Sequence, residues 1–182
     1  MQWSQLKKRA ESYLAASLQG RIGYYATQYR HSHDGEGRCW ITLDKVQLVD
    51  LSTLRAWAEQ HRLAARSQGR PADIAWLDHG AIARDSEYWE QWERAEAGRK
   101  AAGVFTEWDF RRALEEYISM SVDAALMSPD PLHVALAMVD RRLGQRRFAK
   151  LSAVPIAHPI VQILHGVRRR AESWPAAVRA EA

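Results

Sequence analysis

The chain has 182 residues, 47% of them apolar and 26% charged, with eight Trp and a formal net charge of +4. That balance excludes a disordered chain, and no apolar run approaches the ~20 residues that a bilayer-spanning helix needs. Charge is uneven: residues 141–182 carry nine Lys/Arg against two Glu (+7), and residues 1–140 seventeen against twenty acids (−3). Such asymmetry points to a polyanionic partner more than the total does. The segment MQWSQLKKRAES has cations but no apolar stretch behind them, so no secretory signal is expected. A lone Cys39 excludes an intramolecular disulfide and fits a reducing, cytoplasmic setting.

In chain order, Trp3, Leu6, Ala10, Tyr13, Leu14 and Ser17 recur at helical spacing and predict an amphipathic helix over 3–19. Gly20 stands where the left-handed conformation ends it. Three β-prone runs follow, at 21–30, 38–43 and 46–50, and predict an antiparallel meander. Asp44-Lys45 joins the last two and is poorer hairpin chemistry than Asp-Gly. Ser52 or Thr53 caps a helix with Leu54, Trp57, Ala58 and His61 on one face, so residues 1–66 read as an α-β-β-β-α module. That order matches a double-stranded-RNA-binding domain, but its helix starts STLRAWAEQ, without the basic cluster such a module needs.

Residues 67–85 have no clean period and read as a connector anchored by Trp76 and Ile82. Residues 86–182 read as a helical part, forming either a second unit or one domain with the module. Asp85 or Ser86 caps a helix carrying Tyr88, Trp89 and Trp92. Thr106 and Asp109 form a capping-box pattern, with Phe105 and Phe110 as a staple, at the start of a five-turn helix ending near Leu126. Ser128-Pro129 breaks it, and Asp130-Pro131 starts another with Leu132, Ala135, Leu136 and Val139 inward, ended by Gly144. After a loop, His158-Pro159 opens a last helix with Ile160, Ile163, Leu164 and Val167 inward. The two Pro-led helices echo each other: Leu132, Leu136, Val139, Arg141 and Arg142 align with Ile160, Leu164, Val167, Arg169 and Arg170. A shared helix-start device with cations near the C-terminal end accounts for the echo. The fold class expected is α+β.

The pattern Trp3-Ser4, Leu6-Lys7, Arg9, Tyr29-Arg30, His33-Asp34, Gly37-Arg38, Trp40-Ile41-Thr42 and Asp44, with Pro131, Leu136, Asp140-Arg141-Arg142, Gly144 and Arg146-Arg147, resembles an uncharacterised bacterial protein family. The resemblance spans most of the chain and implies one integrated protein, but it brings no catalytic residue or ligand. Lys45 departs from it, standing where a hairpin Gly is expected.

Two candidate sites emerge. In the loop from Tyr29 to Arg38, His31, His33, Asp34 and Glu36 place two imidazoles and two carboxylates within six residues. They could hold a divalent ion, or supply a general base, His33, oriented by Asp34 with Arg30 and Arg38 on an anion. A polar hairpin loop gathers such residues without function. No matching ligand set stands elsewhere, and no zinc motif, phosphate-binding Gly loop or nucleophile elbow is present, so no metal or cofactor is expected. The second candidate is the basic set Arg141, Arg142, Arg146, Arg147 and Lys150, joined by Arg168, Arg169 and Arg170 if the two helix ends meet. Such a patch would neutralise nucleic-acid phosphates, whereas arginines paired with nearby acids are the bland alternative.

The leading expectation is a binding or accessory protein with a nucleic-acid or protein partner on that basic surface. The rival is a small hydrolase or nuclease using the hairpin loop. A third class, an interaction protein of immunity type, would show its Trp-rich helices as an exposed apolar patch.

Overall fold

A computed structural model describes residues 1–28, 36–67, 86–151 and 157–180, with backbone alone for 86–88 and 173–180. The elements are α1 (Trp3–Ser12), a 3₁₀ turn (Ala16–Leu18), β1 (Ile22–Gln28), β2 (Gly37–Leu43), β3 (Val46–Ser52), α2 (Thr53–Ser67), α3 (Ser86–Ala101), α4 (Glu107–Tyr117), α5 (Val122–Leu126), α6 (Pro131–Met138), α7 (Gln145–Phe148) and α8 (Pro159–Ala180). The expected α+β architecture is present: a β1-β2-β3 antiparallel sheet preceded by a helix and followed by helices. The connector at 67–85, with Trp76 and Ile82, lies almost wholly outside the described residues.

The sheet turns Ile22, Tyr24, Cys39, Ile41, Val49 and Leu51 inward, the period-two pattern of a half-buried meander. Its other face carries a column in which Lys7 Nζ lies 4.4 Å over Tyr25, Tyr25 stacks on Trp40 at 5.3 Å, and Arg38 caps Trp40 at 5.4 Å. Both rings therefore meet a cation on one side and each other on the other. Asp44 and Lys45 form a two-residue turn with φ of 50° and 69°, the type I′ geometry normally built with Gly. Arg21 holds it, donating from Nε and Nη2 to the two Asp44 carboxylate oxygens at 3.0 and 2.7 Å.

Three helix boundaries differ from the sequence reading, the first two through a partner distant in sequence. The first helix stops at Ser12, not near 19, because the following backbone bonds to the segment after α6: Ala15 N–H donates to Val139 O at 2.8 Å and Arg141 N–H to Tyr13 O at 2.7 Å. The helix expected over 106–126 is two, α4 and α5, with Ser121 capping the second through Ala124 N–H. Arg142 Nη1 takes the Met120 carbonyl freed between them at 2.7 Å. Helix α6 ends at Met138, and Gly144 instead starts the single turn of α7. The apolar stripe persists across the break because both halves pack on one core, whose buried residues run from Leu6 to Ala171.

Helix α2 buries a different face from the one its apolar residues suggest. Thr53, Ala56 and Gln60 are buried, while Leu54 is 49% exposed. A polar seam selects this orientation: Gln60 Nε2 donates to Trp92 O at 3.1 Å, and buried Arg99 donates to Gln60 Oε1 at 3.2 Å, Val104 O at 2.9 Å and Asp109 Oδ2 at 3.1 Å. Once Arg99 is buried, its donors need these acceptors more than Leu54 needs burial.

Candidate functional site

The basic set divides into interior and surface members. Arg142 donates to Asp140 Oδ2 from Nε at 3.0 Å and from Nη2 at 2.8 Å, and its guanidinium carbon lies 4.1 Å from the Tyr13 ring centroid. Asp140 is 1% exposed and also accepts from the Tyr117 hydroxyl. Burial, reinforced by Asp140, pushes the Tyr117 hydroxyl well above its ordinary value. Hydrogen bonding to Asp140 likewise raises Arg142. Arg168 is more deeply enclosed at 2% exposure: Nη1 donates to the carbonyls of Asp140 (2.8 Å) and Met138 (3.2 Å), Nη2 to Leu143 (2.6 Å), and Nε to Glu172 (2.7 Å). These two arginines satisfy the carbonyls that α6 and the α4–α5 break leave open. Their donors face the protein interior, so they offer little to a partner.

The remaining cations, Arg141, Arg146, Arg147, Lys150, Arg169 and Arg170, are exposed. Arg147 engages Asp123. What joins α7 to α8 is Phe148, buried at 5% exposure, its ring 4.8 Å from His165 and beneath the Arg168 guanidinium at 4.5 Å. Partial burial, and then the Arg169 charge, lower His165 below its ordinary value, so it adds no positive charge at neutral pH. Docking of Phe148 thus seats α7 against α8.

Of the hairpin candidates, His31, His33 and Asp34 lie outside the described residues, as do Tyr29 and Arg30. Glu36 is described and half-buried. Next to it, a Cβ on Gly37 would meet the Glu107 carboxyl carbon at 3.0 Å, so any larger residue there would press on Glu107. Glu107 is fully buried; Oε1 accepts from Arg111 at 3.0 Å and Oε2 has no hydrogen-bond partner. In sequence this residue reads only as an acid complementing a helix N-terminus. Among the described residues, no group of three His, Cys, Asp or Glu is placed to hold a metal ion.

A second constellation carries no signature in the sequence. Ser128 Oγ lies 2.9 Å from Nδ1 of His133, which is 5% exposed, and Glu116 Oε2 lies 3.2 Å from its Nε2. The Glu116 approach is off the N–H axis, so Nε2 feels the carboxylate charge without forming a hydrogen bond. Ser128 also lines a groove of about 790 Å³ between α3, the α5–α6 turn and the start of α8. A contact spanning His133 and Glu116, in different helices, needs the fold to create it.

The fold defines an α+β protein, a small antiparallel sheet preceded by a helix and followed by helices. The SF0329 protein family model matches residues 2–169, and the chain belongs to that family. No curated protein and no solved structure matched it. Among the described residues no helix is long and apolar enough to cross a membrane.

Proposed function

We propose that this protein binds a polyanion, nucleic acid first, through the exposed cations of α7 and α8, and that it does so in the cytoplasm. The observation supporting the reading is the seating of Phe148 against His165 and Arg168, which packs α7, the helix of Arg146 and Arg147, against α8, the helix of Arg169 and Arg170. Arg141, Arg146, Lys150, Arg169 and Arg170 are the exposed cations of this reading, and Arg147 lies in an ion pair with Asp123. Lys and Arg on phosphates release condensed counterions, so affinity should fall steeply with salt. About four phosphate contacts would give a log–log slope near −3.6 on duplex DNA.

The test is binding of a fluorescent oligonucleotide at several ionic strengths, comparing wild type with R146E/K150E. The reading requires a steep slope, and a loss of at least tenfold in the variant at low salt. Affinity unchanged by the reversal, or flat with salt, removes it.

A protein partner is supported by a different surface. Trp89 is 46% and Trp108 43% exposed, and Trp108 meets the Trp57 ring at 5.8 Å. Trp is the residue type most enriched at binding hot spots. W108A should reduce co-purification of a protein partner and leave oligonucleotide affinity unchanged.

A further inference from the structure

We propose that a pocket between α1 and the β2–β3 turn binds a small zwitterion, a molecule carrying one ammonium and one carboxylate, from a free amino acid or a dipeptide. The pocket has a volume of about 480 Å³, and Glu11, Arg21, Tyr25, Thr42, Asp44 and Lys45 are among its lining residues. That volume suits a small molecule and not a macromolecular segment. The site is separate from the basic surface of α7 and α8.

Its charges set the ligand class. Arg21 and Asp44 neutralise each other through two hydrogen bonds, at 3.0 and 2.7 Å. Lys45 is exposed and has no acid partner among the described residues. Glu11 receives its contacts on one oxygen: Oε1 lies 3.5 Å from the Tyr24 N–H and 3.7 Å from Lys7 Nζ. Glu11 Oε2 therefore stands open to a ligand ammonium, and Lys45 Nζ to a ligand carboxylate. A molecule bearing only one of these charges would leave the other group of the pair unmatched.

Turn geometry accounts for the backbone at position 45 but not for a lysine there. Its φ of 69° is unstrained for Gly and strained for any other residue type. The turn is tied down on the pocket rim, since Asp44 N–H also donates to Arg21 O at 2.8 Å. The backbone strain is thus held at the residue that supplies the pocket's cation. Opposite, the hydroxyls of Tyr25 and Thr42 each lie 3.1 Å from the point where a Cβ on Gly23 would stand. That Cβ would also meet Tyr25 Cε2 at 2.8 Å, so Gly23 lets the ring lean over the pocket. A Cβ on Gly20 would meet nothing within 4 Å, which leaves that side open for entry.

The full chain is titrated calorimetrically at low salt with the free amino acids and with glycylglycine, and with propionate and propylamine as single-charge probes. The expected result is saturable binding of an amino acid or of glycylglycine, the tighter of the two identifying the source. Either single-charge probe should bind about tenfold more weakly or not at all. K45G and E11Q should each weaken the zwitterion about tenfold or more. K45G should do so while raising the melting temperature, a combination that a purely structural lysine would not give. Should E11Q disturb α1, K45Q decides, because it keeps a side chain in the turn and removes only the charge. The site is overturned by no zwitterion binding at millimolar concentration, by propionate or propylamine binding as tightly, or by unchanged affinity in folded K45G and K45Q.

Discussion

Arg168 donates to the backbone carbonyl of Asp140 at 2.8 Å, and Asp140 in turn holds Arg142 with its side chain. An arginine from the middle of α8 and an aspartate just past α6 therefore close the C-terminal side of α6 from two directions. Around them meet α1, whose end pairs with this segment, and α4, whose Tyr117 donates to Asp140.

Removal of Arg168 should be far more damaging than removal of its sequence neighbours. R168M keeps bulk in the core but leaves three carbonyls and the Glu172 carboxylate without their donor. The expected loss is about 3–5 kcal/mol in urea denaturation, against less than about 0.5 kcal/mol for R169A on the surface.

Y117F tests the same junction more gently. It deletes one donor to buried Asp140 and leaves Arg142 in place, so a cost of about 1–3 kcal/mol is expected. Arg142 packs on both Tyr13 and Tyr117, so Y13A and Y117F should be non-additive in a double-mutant cycle.

Acid sensitivity should trace to Asp109. Burial pushes its carboxyl up, but the Thr106 N–H, Lys100, the Thr106 hydroxyl and Arg99 outweigh it and hold the group below its ordinary 3.8. A carboxyl depressed in the folded state stabilises fully above the unfolded value, and that contribution disappears as pH falls through the folded one. Unfolding free energy should therefore decline below about pH 4 more steeply in wild type than in D109N, measured by denaturant titrations from pH 2 to 7.

The Asp44-Lys45 turn predicts a stabilising substitution. Lys45 at φ 69° carries the strain of a left-handed non-Gly residue, so K45G should raise stability by about 1 kcal/mol, read as a higher melting temperature. Asp44 also has positive φ, but D44G would lose the Arg21 pair and should gain less.

Local chemistry by itself determined much of this protein. The meander follows from alternation at Ile22, Tyr24, Cys39 and Ile41, and the start of α4 follows from the Thr106–Asp109 capping box, whose two bonds are both present. Pro131 after Asp130 likewise starts α6 where the pattern says. These features are legible because each depends on residues within one or two turns of each other. Tertiary structure alone decided where α1 stops, why α4 and α5 are separate, and which face of α2 is buried, since those depend on Val139, Arg142 and Arg99 arriving from elsewhere. It also sorted one run of arginines into two roles. Arg168 and Arg169 look alike as a charge pattern, yet one helix position points at the open carbonyls of Met138, Asp140 and Leu143 and the next at solvent. A buried cation is fixed by the acceptors around it, and no periodicity records where distant acceptors will stand.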